Sequence, residues 1–201
     1  DVGSPWGIGS KDGGHKSTHP ELGTIDEFKS LVKKAHSMGI EIAMDYALQA
    51  APDHPYVKEF PQWFKWRPDG TVQYAENPPK KYQDIQPIYF ESSDWKNLWK
   101  ELLDVALFWV EECDIDGFRC DLAFWVELDF WKEARAELDK ERKLFWLAEC
   151  EEDNYHEAFD ATYTWEWMHK TADFYKGNTD INGLDQLLHK YEQHFVQAAV
   201  R

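Results

Sequence analysis

Apolar positions along this chain follow two periods, and the periods alternate. From Ile25 to Met38, the residues Phe28, Leu31, Val32 and Ala35 recur at helical spacing behind Thr24, an N-cap residue type. Gly39 ends that helix, and Ile40–Leu48 reads as a buried strand. Trp95 to Glu112 returns to helix, with Leu98, Leu102, Leu103, Val105, Ala106, Phe108 and Trp109 forming a broad apolar face. A strand-like run follows at 115–123, then a helix near 129–141, a strand at 144–149, a further strand at Phe159–Thr164 and an amphipathic helix near 183–198. Only residues 49–92 break the rhythm. They carry Pro52, Pro55, Pro61, Pro68, Pro78, Pro79 and Pro87, and an irregular segment of that length between strand and helix is uncommon without a function.

Repeated strand–helix units with acids at strand ends suggest a (β/α)₈ barrel, whose active sites lie at the C-terminal ends of the strands. The pattern supplies only about four strands, and a full barrel takes about 250 residues. The expected fold is therefore α/β, a partial (β/α)₈ TIM barrel of about strands 3 to 6. It forms one partial barrel domain over residues 1–201, with residues 49–92 as a long irregular insertion within it. The chain opens in a loop, Asp1 to Gly14, and reads as a fragment of a longer barrel, to be closed by a missing barrel half or by another copy as a homo-oligomer. A doubly wound open sheet is the alternative, but no Gly-rich phosphate turn follows any strand.

Charge narrows the partners. A formal net charge of −16 argues against nucleic acid and against anionic membrane surfaces. No apolar run is long enough to span a membrane. Aromatic residues make up 16% of the chain, with 11 Trp, which suits either a sugar-binding cleft or an aromatic core. Cys113, Cys120 and Cys150 show no CxxC spacing and read as small buried apolar residues, so neither a zinc site nor a disulfide framework is expected. Asp53-His54, His15 and His19 could be metal ligands, but calcium needs six or more oxygens and no dense acidic loop lies near them. Surface histidines are the expectation, with no metal and no cofactor. Cysteines without a pairing pattern and no export signal fit the cytoplasm, which is the expected compartment.

The chemistry concentrates in Ile115-Asp116-Gly117-Phe118-Arg119-Cys120-Asp121. Alternation along a strand points Arg119 and Asp121 the same way, and a guanidinium beside a carboxylate favours its ionised form. Leu144-Phe145-Trp146-Leu147-Ala148-Glu149 is a second apolar strand ending in an acid, and the helix between suits a parallel crossover that brings both acids to one end. Its apolar setting should raise Glu149. One charged and one protonated carboxylate are the equipment of a glycosidase, and a retaining one holds its carboxyls about 5–5.5 Å apart.

On these residues the chain resembles glycoside hydrolase family 13, the α-amylase family. Gly117-Phe118-Arg119-Cys120-Asp121 is similar to the family's nucleophile strand, which implies Asp121 as nucleophile and Arg119 as its partner. Leu147-Ala148-Glu149 is similar to the acid/base strand. Met44-Asp45-Tyr46-Ala47-Leu48-Gln49 resembles the first conserved strand, with Asp45 organising the site, and residues 49–92 then correspond to domain B. The first half is similar to the maltose-1-phosphate-dependent maltosyltransferases through Gly3-Ser4-Pro5-Trp6-Gly7-Ile8-Gly9-Ser10, Pro52-Asp53-His54-Pro55 and Glu76-Asn77-Pro78-Pro79-Lys80-Lys81-Tyr82-Gln83-Asp84-Ile85. That resemblance implies Asn77, Lys80 and Tyr82 as phosphate ligands and Gln49 as a donor-sugar ligand.

From Asp114 onward the chain is more similar to hydrolytic α-amylases, so it reads as a chimera with a junction near residue 112. Gln49-Ala50 stand where amylases usually place Asn-His, and Trp125 stands where they often place His. The family's third carboxylate is expected beyond Arg201. The expectation is an α-glucan-active retaining glycosidase or glycosyltransferase acting on α-1,4-glucan or maltose 1-phosphate. The alternative is a barrel fragment or half-barrel assembly module without turnover.

Overall fold

Thr24 and Glu27 start the first helix by serving each other's backbone. Thr24 Oγ1 accepts the Glu27 N–H at 3.2 Å, and Glu27 Oε2 accepts the Thr24 N–H at 2.8 Å, a reciprocal capping box. The helix α1 (Ile25–Ser37) stops at Gly39, whose φ of 73° suits a residue without a Cβ. The computed structural model describes residues 3–194 and 199–200, and the chain divides into two compact units, Asp1–Asp116 and Gly117–Arg201.

In the first unit, β1 (Ala43–Tyr46) follows α1 and is shorter than the apolar run predicts. Ile40 is half exposed and adds no strand residue. The segment expected to be irregular has a closed base: β2 (Gln49–Ala50) pairs antiparallel with β5 (Gln86–Pro87). Between them lie α2 (Pro55–Glu59) and a hairpin of β3 (Ala75–Asn77) and β4 (Lys80–Tyr82). Then α3 (Trp95–Cys113) buries Leu98, Leu102, Val105, Ala106 and Trp109 and packs on α1, with Phe28 edge-on to Trp109 at 5.7 Å. Asp116 ties the unit's lower end. Its Oδ2 accepts from His36 Nε2 and from the Ile42 N–H, each at 2.7 Å.

His15 and His54 correct the expectation of surface histidines: they are 7% and 1% exposed. Their partners set the tautomers. The Tyr56 N–H donates to His54 Nδ1 at 3.0 Å, so His54 donates from Nε2 to His15 Nδ1 at 2.8 Å, and His15 donates from Nε2 to the Ala47 carbonyl at 3.1 Å. Two neutral imidazoles thus pin the loop before α1 to the end of β1. Burial lowers His15, and burial followed by the His15 charge lowers His54 to about 3. His19 is exposed, as expected.

In the second unit, β6 (Gly117–Cys120), β7 (Phe145–Ala148), β8 (Ala161–Thr162) and β9 (Ala199–Val200) are neighbours in one parallel sheet. Helix α4 (Leu128–Leu138) crosses from β6 to β7, while α5 (Trp165–Tyr175) and α6 (Ile181–His194) cross from β8 to β9. Parallel strands with helical crossovers form part of a (β/α)₈ barrel, as the alternation predicts. One sheet face is sealed: Phe118, Cys120, Trp146 and Ala148 are fully buried, with Phe130, Trp131, Ala134 and Leu138 of α4. Asp160 locks the crossover by accepting from Arg135 Nη2 at 2.7 Å and from the Trp146 N–H at 2.9 Å. Gly117 is required, because a Cβ there would collide with the Phe145 carbonyl of the neighbouring strand.

The strands are shorter than their apolar runs because Ile115 and Leu144 are buried just outside the ladder. Helix α5 went unpredicted. It has no buried residue, so no core stripe marks it, and Trp165-Glu166-Trp167 forms its first turn. Glu151 caps that turn by accepting the Glu166 N–H at 2.7 Å. Residues 195–198 of the expected last helix lie outside the described residues. Cys113, Cys120 and Cys150 are buried thiols, and no described helix is long and apolar enough to cross a membrane.

Candidate active site

Strand register brings the two acids together. Cys120 pairs with Ala148 at the last rung of β6 and β7, so Asp121 and Glu149 follow side by side, one residue past the ladder. Adjacent strands lie about 4.8 Å apart. The Glu149 N–H donates to the Cys120 carbonyl at 3.0 Å and fixes the register beyond the strands. Arg119, Asp121 and Glu149 all leave the face opposite the sealed core. Their side chains stay 23%, 22% and 18% exposed, so the cluster is desolvated and still reachable.

One guanidinium serves both acids. Arg119 Nη1 meets Asp121 Oδ1 at 2.6 Å, and Nη2 meets Glu149 Oε2 at 2.8 Å. The sequence assigns Arg119 to Asp121 alone; the register explains the sharing, because both carboxyls stand one step beyond it. Arg119 Nε donates to the Tyr163 hydroxyl at 3.0 Å, which orients the guanidinium plane. Burial pushes Glu149 above the ordinary carboxylate value of 4.5, and the Asp121 charge and a hydrogen bond to Asp121 push the same way. The Leu122 N–H and Arg119 oppose that rise. Such a pair can keep one proton between two carboxyls.

No family model matches the chain. An α-1,4-glucan:maltose-1-phosphate maltosyltransferase of Methylacidiphilum infernorum is 58% identical over 132 residues, which is 66% of this chain and 20% of that protein. Its counterpart in Salinibacter ruber is 43% identical over 185 residues, 86% of this chain and 28% of that protein. In fold, a maltogenic α-amylase of Thermotoga neapolitana superposes with a TM-score of 0.82 and 30% identity over 98% of this chain and 45% of its own. An α-amylase of Lactobacillus plantarum has the same TM-score at 26% identity, covering 99% of this chain and 51% of its own. In sequence and in fold the chain is similar to glycoside hydrolase family 13, the α-amylase family. It spans 20% and 28% of the length of the two maltosyltransferases it matches here.

The family residues of the first unit fall on separate elements. Asp45 of β1 lines a cavity of about 310 Å³ with Ser4, Ser10, His15, Thr18 and Trp109. Gln49 lies in β2. Asn77 faces Lys80 and Ala75 faces Tyr82 across the hairpin, so Asn77, Lys80 and Tyr82 share one face. Glu76 and Lys81 take the other, where Arg67 Nη2 meets Glu76 Oε1 at 3.1 Å. Asn77 and Lys80 are exposed. Trp125, in the family's frequent histidine position, is 55% exposed beside Phe124.

Sequence reasoning missed Tyr163 and Leu122. Tyr163 sits just past the end of β8, as the acids do on their strands, and that placement was the available signal. Leu122 carries no signal of its own, because its contribution is a backbone N–H. Among the described residues, no group of three or more His, Cys, Asp and Glu is placed to hold a metal ion.

Proposed function

We propose that the chain carries the nucleophile and the acid/base of an α-glucan-active retaining enzyme, Asp121 and Glu149, with Arg119 as the cation that holds both. The shared guanidinium at paired strand ends carries this reading. One guanidinium reaches both carboxyls, Asp121 at 2.6 Å and Glu149 at 2.8 Å, and that closeness supports the retaining arrangement, in which the first step is covalent. Asp121 attacks the anomeric carbon while Glu149 gives its proton to the leaving oxygen, forming a glycosyl ester. Glu149 then takes a proton from water or from a glucan hydroxyl, and that acceptor attacks the ester.

Maltose 1-phosphate is the donor we favour, because two relatives 58% identical to this chain over the matched residues are named for it. Residues 49–92 then act as a domain B-like insertion, with Asn77, Lys80 and Tyr82 on the donor phosphate, Gln49 on the donor sugar and Asp45 organising the site. Buried cysteines that form no disulfide suit a reducing compartment such as the cytoplasm. The decisive experiment is trapping with a fluorinated α-glycosyl fluoride, followed by peptide mass mapping. The expected adduct is on Asp121 and absent in D121N; an adduct elsewhere overturns the assignment. Phosphate release with maltose 1-phosphate and a glucan acceptor marks a transferase, and reducing ends from starch mark a hydrolase. No adduct and silence in both assays, with a cooperative melt, would support a barrel fragment without turnover, and a size-exclusion mass would then show whether copies pair.

A further inference from the structure

Leu122 is bent into a conformation that leucine avoids. Its φ and ψ are 43° and 48°, the left-handed region, which a residue with a Cβ adopts only under strain. Asp114 is the other non-glycine residue with positive φ among those described, and it closes a helix, where this geometry is ordinary. Leu122 closes no helix. It turns the chain immediately after Asp121, and the turn directs its N–H at Glu149 Oε2, 2.9 Å away.

The surroundings hold the turn from behind. The Trp125 N–H donates to the Leu122 carbonyl at 2.9 Å, and the Val126 N–H donates to the Ala123 carbonyl at 3.1 Å. Ala123 is fully buried, and its carbonyl also accepts from Trp131 Nε1 at 3.0 Å. The Val126 carbonyl accepts the Tyr155 hydroxyl at 2.9 Å. Two buried aromatic side chains from other elements therefore grip both ends of a strained loop. Strain kept in place by surrounding structure points to a function for the geometry.

That function follows from counting acceptor sites. Glu149 Oε2 receives the Leu122 N–H at 2.9 Å and Arg119 Nη2 at 2.8 Å. Two charge-assisted donors leave that oxygen the poor place for a proton. We infer that the left-handed turn at Leu122 is a positioning device that reserves Glu149 Oε2 as an acceptor and leaves Oε1 to carry the proton. For an acid/base, this decides which oxygen faces the leaving group. The inference deepens the reading of Glu149 as the acid/base and rests on it for that consequence, but its geometry and its test do not depend on turnover.

The test is the titration of Glu149, followed by the carboxyl carbon resonance of ¹³C-glutamate-labelled protein and assigned with E149Q. Three changes at position 122 separate the N–H from the side chain. Leu122→Gly keeps both the N–H and the left-handed turn and should leave the midpoint unchanged. Replacing leucine by its α-hydroxy acid converts the amide to an ester and removes the N–H alone. Losing a donor to the charged form should raise the midpoint by about one pH unit. Leu122→Val places a β-branched residue where φ is positive, should release the turn and should raise the midpoint similarly. An unchanged midpoint in the ester protein, with a native melt, overturns the inference. If the ester protein does not fold, W131F, which removes the donor to Ala123, replaces it; a native melt with an unchanged midpoint would again overturn the inference. None of these outcomes bears on whether Asp121 can be trapped, so the two readings fail separately.

Discussion

The two units solve the problem of buried like groups in opposite ways. In the C-terminal unit two carboxyls meet, and Arg119 is placed between them, with Tyr163 and the Leu122 N–H as further donors. In the N-terminal unit two imidazoles meet, and no cation or carboxylate completes their hydrogen bonds; they end on the backbone at Ala47 and Tyr56. Glu101 is the one carboxylate that biases His15 electrostatically, and its contact to Lys16 at 3.4 Å and its hydrogen bond from Tyr56 at 2.7 Å divide its charge. The first arrangement lets a carboxyl hold a proton at a partly buried, reachable site. The second excludes protons from a sealed one. A hydrogen-bonded pair of titratable residues is therefore a candidate for chemistry only where charge can be accommodated, and a structural clamp where it cannot.

The largest expected effect tests the chemical side. D121N and E149Q should each lower turnover on whichever substrate proves active by about 10³-fold or more, while circular dichroism and the melting profile stay native. Equal activity in either variant would remove the carboxyl pair from the mechanism. On the structural side, H54A should destabilise the protein by about 3 kcal/mol, from a cavity and from a His15 Nδ1 left without its donor. Urea unfolding reads this directly, and a loss below about 1 kcal/mol would mean that the loop does not depend on the pair.

The pH dependence sharpens the contrast because the two signs oppose. His54 is lowered from 6.5 to about 3, so the unfolded chain takes up a proton that the folded one refuses. Its contribution to stability is complete above pH 6.5 and declines as pH falls toward 3. Glu149 is raised above 4.5, so the folded chain holds its proton longer. Its contribution is complete below 4.5 and is lost as pH rises through the folded value. Thermal midpoints across that range should therefore climb more steeply with pH in E149Q than in the parent protein. A shallower climb would reverse the assignment of the two pairs.

What could be read from the chain follows the same division. Asp121 and Glu149 were legible because period-two alternation and a crossover-length helix place two strand-end acids together, and both regularities are local. The sharing of Arg119 depends on register, which the sequence does not show before pairing is known. His15 and His54 stand 39 residues apart, and single histidines between glycines and prolines give no sign of burial. Leu122 was illegible for a different reason. Left-handed turns usually announce themselves with Gly or Asn, and here Trp131 and Tyr155 enforce one on leucine. Helix α5 lacks the buried stripe on which periodicity depends.

The smallest expected effect concerns the exposed hairpin, where recognition depends on which face a side chain takes. Lys80 shares its face with Asn77 and Tyr82, whereas Lys81 lies opposite with Glu76, which Arg67 also engages. Two adjacent lysines of equal charge therefore make a controlled pair. If the phosphate of a sugar phosphate docks on the Asn77 face, K80A should raise the half-saturating concentration of maltose 1-phosphate by about tenfold, the worth of one charge-assisted hydrogen bond. K81A should change it by less than about twofold, since an exposed, partly neutralised lysine contributes little. Activity on starch, which carries no phosphate at the cleaved bond, should be the same in both variants. Equal losses in K80A and K81A would mean that the hairpin attracts the donor only through its overall charge, and the contrast between a built site and a solvated surface would then hold for this hairpin as well.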